Sequence, residues 1–246
     1  MPESLAEVLP PEELYDYRAE PYIDLSAPYQ QGDVFRLTAP DVMAACGGAS
    51  LVMLFMHPCT MRRAGILEEN VTVVRVKQES PRKVLVRPDF WQSNYKVMPL
   101  PDLLGDGTST HSADFMHIST IPSATLPRTA RIAQLSVAGR LRMQQRLINH
   151  FTRYIVSTDV LSEATAHIEE ESLYQADWVA AAVRAGKCAG DQLPGIEELE
   201  KEYQSYLDSG VEGEPNLRDL LKSVETRPRA TRQIQMRISE LYPRPQ

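Results

Sequence analysis

Residues 50–56 read SLVMLFM, and the six side chains from Leu51 to Met56 are apolar without a break. A run this short, bounded by Gly47-Gly48 on one side and Pro58 on the other, has the length and flanks of a strand covered on both faces. Similar runs lie around it: DVFRL (33–37), VTVVRV (71–76) and KVLVR (83–87), separated by Gly65, Ser80-Pro81 and Pro88. In the second of these Val71, Val73, Val74 and Val76 nearly alternate with Thr72, Arg75 and Lys77, which predicts a half-exposed strand. Residues 99–112 (PLPDLLGDGTSTHS) read as a loop of turn formers, and Phe115 to Ile121 supplies one more strand.

After Pro127 the period changes. Ser136 is placed to cap a helix in which Val137, Leu141, Ile148, Phe151 and Ile155 share one face, with Leu147 beside them. Arg142, Arg146, Asn149 and Arg153 follow a 4-3-4 spacing on the opposite stripe. Further helices are expected over 160–170, 172–185, 195–208 and 215–224, with an amphipathic piece from Thr231 to Leu241. The pattern predicts an α+β protein: a small β-barrel-like or strongly curved sheet followed by an all-helical C-terminal extension. The expected domains are an N-terminal arm (1–30), a β-rich body ending in an Arg-rich helix (31–157) and a helical C-terminal region (158–246). The arm is punctuated by Pro2, Pro10, Pro11, Pro21 and Pro28, and its Tyr15, Tyr17, Tyr22, Ile23 and Leu25 are large enough to dock on the body or on a partner.

The 246 residues are 43% hydrophobic and 24% charged, enough for one large domain or a compact domain with an appendage. No apolar run is long enough to cross a bilayer, and the N-terminus is acidic and proline-punctuated where a signal peptide would be basic and then apolar. A cytoplasmic protein without membrane contact is expected. Cys46, Cys59 and Cys188 are too widely spaced for a CxxC clamp and odd in number, so reduced thiols are expected. Charge is segregated. Residues 1–56 hold 2 basic and 9 acidic side chains, 57–155 hold 14 and 7, and 156–214 hold 3 and 14. A basic middle between acidic flanks either steers an oppositely charged partner or pairs internally.

Three groups of residues are candidates for function. His57-Pro58-Cys59-Thr60 follows the apolar strand, where a scaffold commonly presents reactive groups, and i, i+2 spacing puts His57 and Cys59 on one side of extended backbone. That pair suits a thiol and its base, or two ligands of a soft metal, set against a buried cysteine and a turn-capping histidine. The histidines at 111, 117, 150 and 167 add no ligand spacing, so no metal and no cofactor is expected. Neither a GxSxG elbow nor a glycine-rich phosphate loop occurs, and the run Glu169-Glu170-Glu171 with Asp177 reads as a solvated face. Second, six arginines and no lysine lie in 128–153: Arg128, Arg131, Arg140, Arg142, Arg146 and Arg153. Arginine is preferred for bidentate and interfacial pairing, so Arg131, Arg142, Arg146 and Arg153, together with Tyr15 and Tyr22, are the expected partner-binding residues. Third, the C-terminal tail presents Ile234, Ile238 and Leu241 as one face of a core or partner-binding helix.

The order of elements also resembles one family. Gly32-Asp33-Val34-Phe35, the strand LVMLFM, further short strands, FMHISTI, and Arg131-Ile132-Ala133-Gln134-Leu135-Ser136 leading into a helix look like the PemK/MazF small-barrel family over about residues 29–155. The resemblance implies an SH3-like barrel, a dimer and endoribonuclease activity of toxin–antitoxin type. The family's catalytic arginine–proline pair is replaced here by Ala49-Ser50, and VVRVKQ stands where the family has a polar Thr or Ser.

The leading expectation is a non-enzymatic regulatory or adaptor protein that binds another protein, one that handles nucleic acid. The alternative is an endoribonuclease on a PemK/MazF-like barrel, with Arg62, Arg63 or Arg75 stabilising charge on the scissile phosphate and His57 as general acid or base. A metal- or thiol-dependent hydrolase acting through His57 and Cys59 is the third. A net charge of −7 opposes direct DNA binding, which is expected to be weak or absent, while RNA stays open, as does the oligomeric state.

Overall fold

A computed structural model describes residues 8–18, 24–63, 66–80, 91, 94–189, 193–210 and 215–243, with Cys59, Arg62, Arg63, Ile66 and Leu193 described by their backbone alone. The expected strand at 83–87 and the arm residues Tyr22 and Ile23 lie outside the described residues. Two compact units are present, one from the described parts of 1–23, 29–61 and 67–163, the other from those of 24–28, 62–66 and 164–246.

The first unit opens with α1 (Pro11–Leu14), β1 (Tyr15–Arg18), β2 (Val34–Arg36), α2 (Pro40–Ala45), β3 (Leu51–Leu54) and α3 (Pro58–Met61). In chain order a two-residue ribbon follows, β4 (Arg62–Arg63) with β5 (Ile66–Leu67), of which residues 62–66 belong to the second unit. Then come β6 (Asn70–Gln78), β7 (Val97–Pro101), β8 (Thr110–Pro122), β9 (Arg131–Leu135) and α4 (Val137–Thr152). Seven strands form one antiparallel sheet in the order β1-β9-β2-β3-β6-β8-β7, curled into a half-barrel. The curled sheet and helical C-terminal region agree with the α+β expectation, whereas 99–112 is only partly loop, since its two ends belong to β7 and β8.

The apolar run at 51–54 is covered on both faces. Leu51 and Met53 enter one core with Val34, Val74, Val76, Leu100, Phe115 and Met143, while Val52 and Leu54 enter a second with Phe35, Val42, Val71, Val73 and Ile121. On β6 the two cores divide the valines by pleat, which is why its polar Arg75 and Lys77 continue the face of Val71 and Val73. Two glycines permit close approach. Gly32 adopts φ +93 and a β-carbon there would stand 2.4 Å from Leu135 Cδ1, and at Gly139 it would stand 2.4 Å from the Leu14 carbonyl oxygen.

The two edge strands, β1 and β7, are stapled by side chains where a closed barrel would have a ladder. Tyr15 Oη donates to the Pro101 carbonyl at 3.2 Å, and the Arg18 guanidinium binds both the Asp102 carboxylate and, at 2.7 Å, its carbonyl oxygen. Pro99 and Pro101, without N–H groups, suit an edge strand. The expected arm is therefore built into the body over 11–18, with the Tyr15 ring buried and its hydroxyl pushed well above its ordinary pKa by that burial, an effect Arg18 opposes.

The second unit packs α5 (Thr158–Arg184), from Ala164 onward, with α6 (Leu193–Asp208), α7 (Leu217–Lys222) and α8 (Arg227–Leu241). Its core contains Trp178, Val179, Ile196, Tyr203, Leu221 and Ile234, and Leu25 packs against the same cluster. Arg218 ties the helices together through Glu171, Asp208 and Gln204. Glu169, Glu170 and Glu171 lie on α5, where Glu171 pairs with Arg218 and Glu170 lies 3.9 Å from Arg227. Ile234 is fully buried, which makes the C-terminal amphipathic piece a core helix of this unit. Among the described residues no helix is long and apolar enough to cross a membrane.

Candidate functional site

The strand-end motif comes first. His57 is half-buried, and its carbonyl accepts the Thr60 hydroxyl at 2.9 Å and the N–H groups of Thr60 and Met61, the opening of α3. The side chains of Cys59 and Arg63 lie outside what is described, so the geometry of a His57–Cys59 pair is not defined. Among the described residues no group of three or more His, Cys, Asp or Glu side chains is arranged to hold a metal ion.

The arginine stripe is turned inward, a correction to the open basic face read from its spacing. Arg131 and Arg146 have no exposed surface, and Arg128, Arg140 and Arg142 are buried with them. Arg131 Nη1 donates to Asp33 Oδ2 at 2.9 Å, between the rings of Tyr17 and Tyr29, and Gln134 Nε2 donates to the other oxygen at 3.0 Å. Burial opposes the charge on Arg131, but Asp33 and the tyrosines outweigh it and hold the group above its ordinary pKa. Arg146 has three carbonyl partners, Val97, Trp91 and Asn94, at 2.9–3.0 Å, which fasten α4 to the chain entering β7; burial lowers its pKa to about 10. Arg140 donates to the Leu135 carbonyl, and Arg142 to Gln145. Of the expected apolar stripe, Val137, Phe151 and, just beyond the helix, Ile155 are exposed, whereas Leu141 is buried and Leu147 and Ile148 are half-buried, because α4 packs on β7 and β9 through Gly139, Leu141, Met143 and the arginines. Ser136 is the cap, accepting from Gly139 N at 3.0 Å. Arg153, exposed, ends the helix in the left-handed conformation at φ 66.

A polar cluster absent from the sequence reading, apart from Arg75, lies where β6 meets β8. The register of this pair shifts between Val74, opposite Ile118, and Arg75, opposite Asp114, so that Phe115, Met116 and His117 form a bulge in β8. A bulge of this kind re-aims side chains, and here it returns His117 toward Asp114. Asp114 Oδ2 accepts from Arg75 Nη2 at 2.9 Å and lies 3.0 Å from His117 Nδ1 and 3.7 Å from Lys77 Nζ, while Oδ1 accepts the Met116 N–H at 3.1 Å. Burial raises the Asp114 pKa, but the Arg75 and Met116 hydrogen bonds with Lys77 and His117 outweigh it and hold the carboxyl below its ordinary value. Asp114 is only 8% exposed and His117 is 51% exposed, so the carboxylate is a fixed base plate and the imidazole faces solvent. His117 Nδ1 also lies 3.1 Å from Arg75 Nη2, so the carboxylate and the guanidinium meet the imidazole at the same nitrogen: with a proton there the ring turns it to Asp114 and keeps the lone pair on Nε2, and without one it accepts from Arg75.

Arg75 uses one nitrogen on this carboxylate. Its Nε is buried without a partner, and Nη1 lies against Gly47, 3.7 Å from where a β-carbon would sit. Lys77 also reaches Glu79 Oε1 at 3.5 Å, and Ser112 Oγ donates to that oxygen at 2.6 Å. Cys46, buried at the end of α2, has its thiol pKa raised by burial against an opposing contact with Ser119.

Comparison with family models, curated proteins and solved structures finds no match to the chain. The arrangement is judged by its chemistry: a solvent-facing imidazole held between a carboxylate and a guanidinium, beside a lysine. Only Arg75 was singled out by sequence. His117 and Asp114 are three apart in a stretch that reads as an unremarkable strand, and no spacing rule anticipates a bulge that lets both face one arginine.

Proposed function

We propose that the protein is an endoribonuclease acting through Arg75, Asp114 and His117. The observation that carries this reading is the His117–Asp114–Arg75 triangle on the bulge of β8, with the imidazole facing solvent. In the tautomer with its proton on Nδ1 toward Asp114, His117 takes the proton of a ribose 2′-hydroxyl on Nε2; the 2′-oxygen bonds to phosphorus, the P–O5′ bond breaks, and the leaving 5′-oxygen takes a proton from water. Arg75 donates to the non-bridging oxygens, where charge accumulates in the transition state. RNA is favoured as substrate because the cluster supplies a base and cations but no accessible nucleophile: Ser112 is fully buried, whereas RNA brings its own. This takes up the endoribonuclease alternative with His117 in the role read for His57.

The test is incubation with single-stranded RNA and with DNA of the same sequence. Expected products carry 2′,3′-cyclic phosphate and 5′-hydroxyl ends, DNA is uncut, and His117→Ala and Arg75→Ala each lower the rate at least about a hundredfold. Absence of cleavage, or cleavage unchanged in both variants, removes the proposal.

A partner-binding role is the second reading. It no longer rests on the arginine stripe; what favours it is the stretch 151–155, in which Phe151, Tyr154 and Ile155 are all more than half exposed next to Arg153, residue types common at interface hot spots. If it holds, the triple change of Phe151, Tyr154 and Ile155 to serine abolishes any self- or hetero-association seen by size exclusion and leaves the unfolding midpoint in place.

A further inference from the structure

Lys77 and Glu79 have no part in the reaction just described, and their geometry is more demanding than a surface ion pair needs. Glu79 is 6% exposed, and it lies at the end of β6, where its backbone N–H donates to the Thr110 carbonyl at 2.8 Å. Its Oε1 is held by Ser112 Oγ at 2.6 Å, and Ser112 is itself fully buried, opposite Lys77 in the β6–β8 register. A carboxylate so placed cannot follow its partner; the partner must come to it. Lys77, 39% exposed, spans the gap, with Nζ 3.5 Å from Glu79 Oε1 and 3.7 Å from Asp114 Oδ2. Arg75 Nη2 reaches that same Asp114 oxygen. Two cations from one strand face thus converge on a single point beside His117, one as a planar fork and one as a compact point charge.

We propose that Lys77 is the second phosphate-binding cation of the site and that Glu79 is the positioning residue that holds it. The inference rests on the phosphodiester reading above and deepens it by assigning the group that shares the phosphate with Arg75. An anion arriving between Arg75 and Lys77 takes donors from both. Glu79 and Asp114 keep the ammonium from swinging into solvent when the site is empty, so less side-chain freedom is lost on binding. In the transition state Lys77 faces the same non-bridging oxygens as Arg75. Glu79 touches no substrate.

The experiment uses the full chain and two probes: a single-stranded RNA, read by cleavage, and a 2′-deoxy strand of the same sequence, which lacks the nucleophile and is read by binding across a salt series. Lys77→Met is expected to lower kcat/KM about a hundredfold and to reduce the slope of log affinity against log salt by about 0.7, one phosphate contact on a single strand. Glu79→Gln keeps the lysine charge, so it is expected to leave the salt slope unchanged while lowering kcat/KM about tenfold, with Glu79→Asp restoring part of the loss. Thermal unfolding of each variant separates a lost fold from a lost position, and Lys77, being exposed, is read even if the Glu79 variants do not fold. Wild-type cleavage with Lys77→Met within twofold in both rate and slope overturns the proposal and leaves the endoribonuclease reading standing. An impaired Lys77→Met with an unimpaired, folded Glu79→Gln overturns the positioning role. Binding that loses its slope in Lys77→Met, from a wild type that cuts nothing, supports Lys77 as the anion contact and removes the catalytic reading. A wild type that neither cuts nor binds removes both.

Discussion

Arg131 and Arg75 stand on the same sheet, each with an aspartate oxygen at 2.9 Å, and have opposite meanings. The first pair is sealed: neither Arg131 nor Asp33 has any exposed surface, the second carboxylate oxygen is taken by Gln134, and the Gln30 N–H donates to the first. The second is open: the Arg75 side chain is 24% exposed, Asp114 is shared with His117 and Lys77, and the imidazole stands half in solvent. A pair sealed from water fixes one packing arrangement, whereas a pair that water reaches can exchange that water for another ligand. The distance between the charges is the same in both; burial separates them.

Four changes break or sharpen this contrast. Asp33→Ala leaves the Arg131 charge buried without its carboxylate and is expected to cost about 3–5 kcal/mol in urea unfolding; a loss below about 1 kcal/mol would mean the sealed pair is not structural. Arg146→Met strips the Val97, Trp91 and Asn94 carbonyls of a donor, with an expected loss of about 1–3 kcal/mol. The third is a pH effect. His111 is buried in β8 with Nδ1 unpartnered, and burial depresses its pKa, an effect Asp106 opposes. The unfolded chain then binds a proton near pH 6.5 that the folded state refuses, so stability falls as pH drops from 7 toward 5, and His111→Asn is expected to flatten that slope. Asp114, depressed in the folded state, adds to the loss only at lower pH, as its own folded pKa is crossed. Arg75→Met is expected to shift the unfolding free energy least, by under about 1 kcal/mol, since Lys77 and His117 remain on Asp114 and the pair is partly solvated. A large stability loss there, comparable with Asp33→Ala, would place Arg75 in the structural class and weaken the case for a site.

Much of the architecture was legible locally. The unbroken LVML at 51–54 has no polar side to present to water, so two covered faces follow from composition alone. The Ser136 cap and the amphipathic Thr231–Leu241 piece are likewise properties of neighbouring residues. The site was not legible in the same way. A helical wheel of 137–155 separates arginines from apolar residues correctly but does not say which half meets the sheet, and here carbonyls at the entry to β7 make the arginine half the buried one. His117 and Asp114 depend on a register shift that involves β6, some forty residues away in sequence.

Taken alone, the chain's order of residues determined the covered strand at 51–54 and the helix capped by Ser136, because hydrophobic period, capping and turn chemistry act over a few residues. Only the tertiary structure decided which arginines are sealed and which are open, since desolvation and hydrogen-bond partners are supplied by segments distant in sequence. Arg131 is closed by Asp33 and Arg75 is left open beside a bulge, and nothing adjacent to either residue carries that difference.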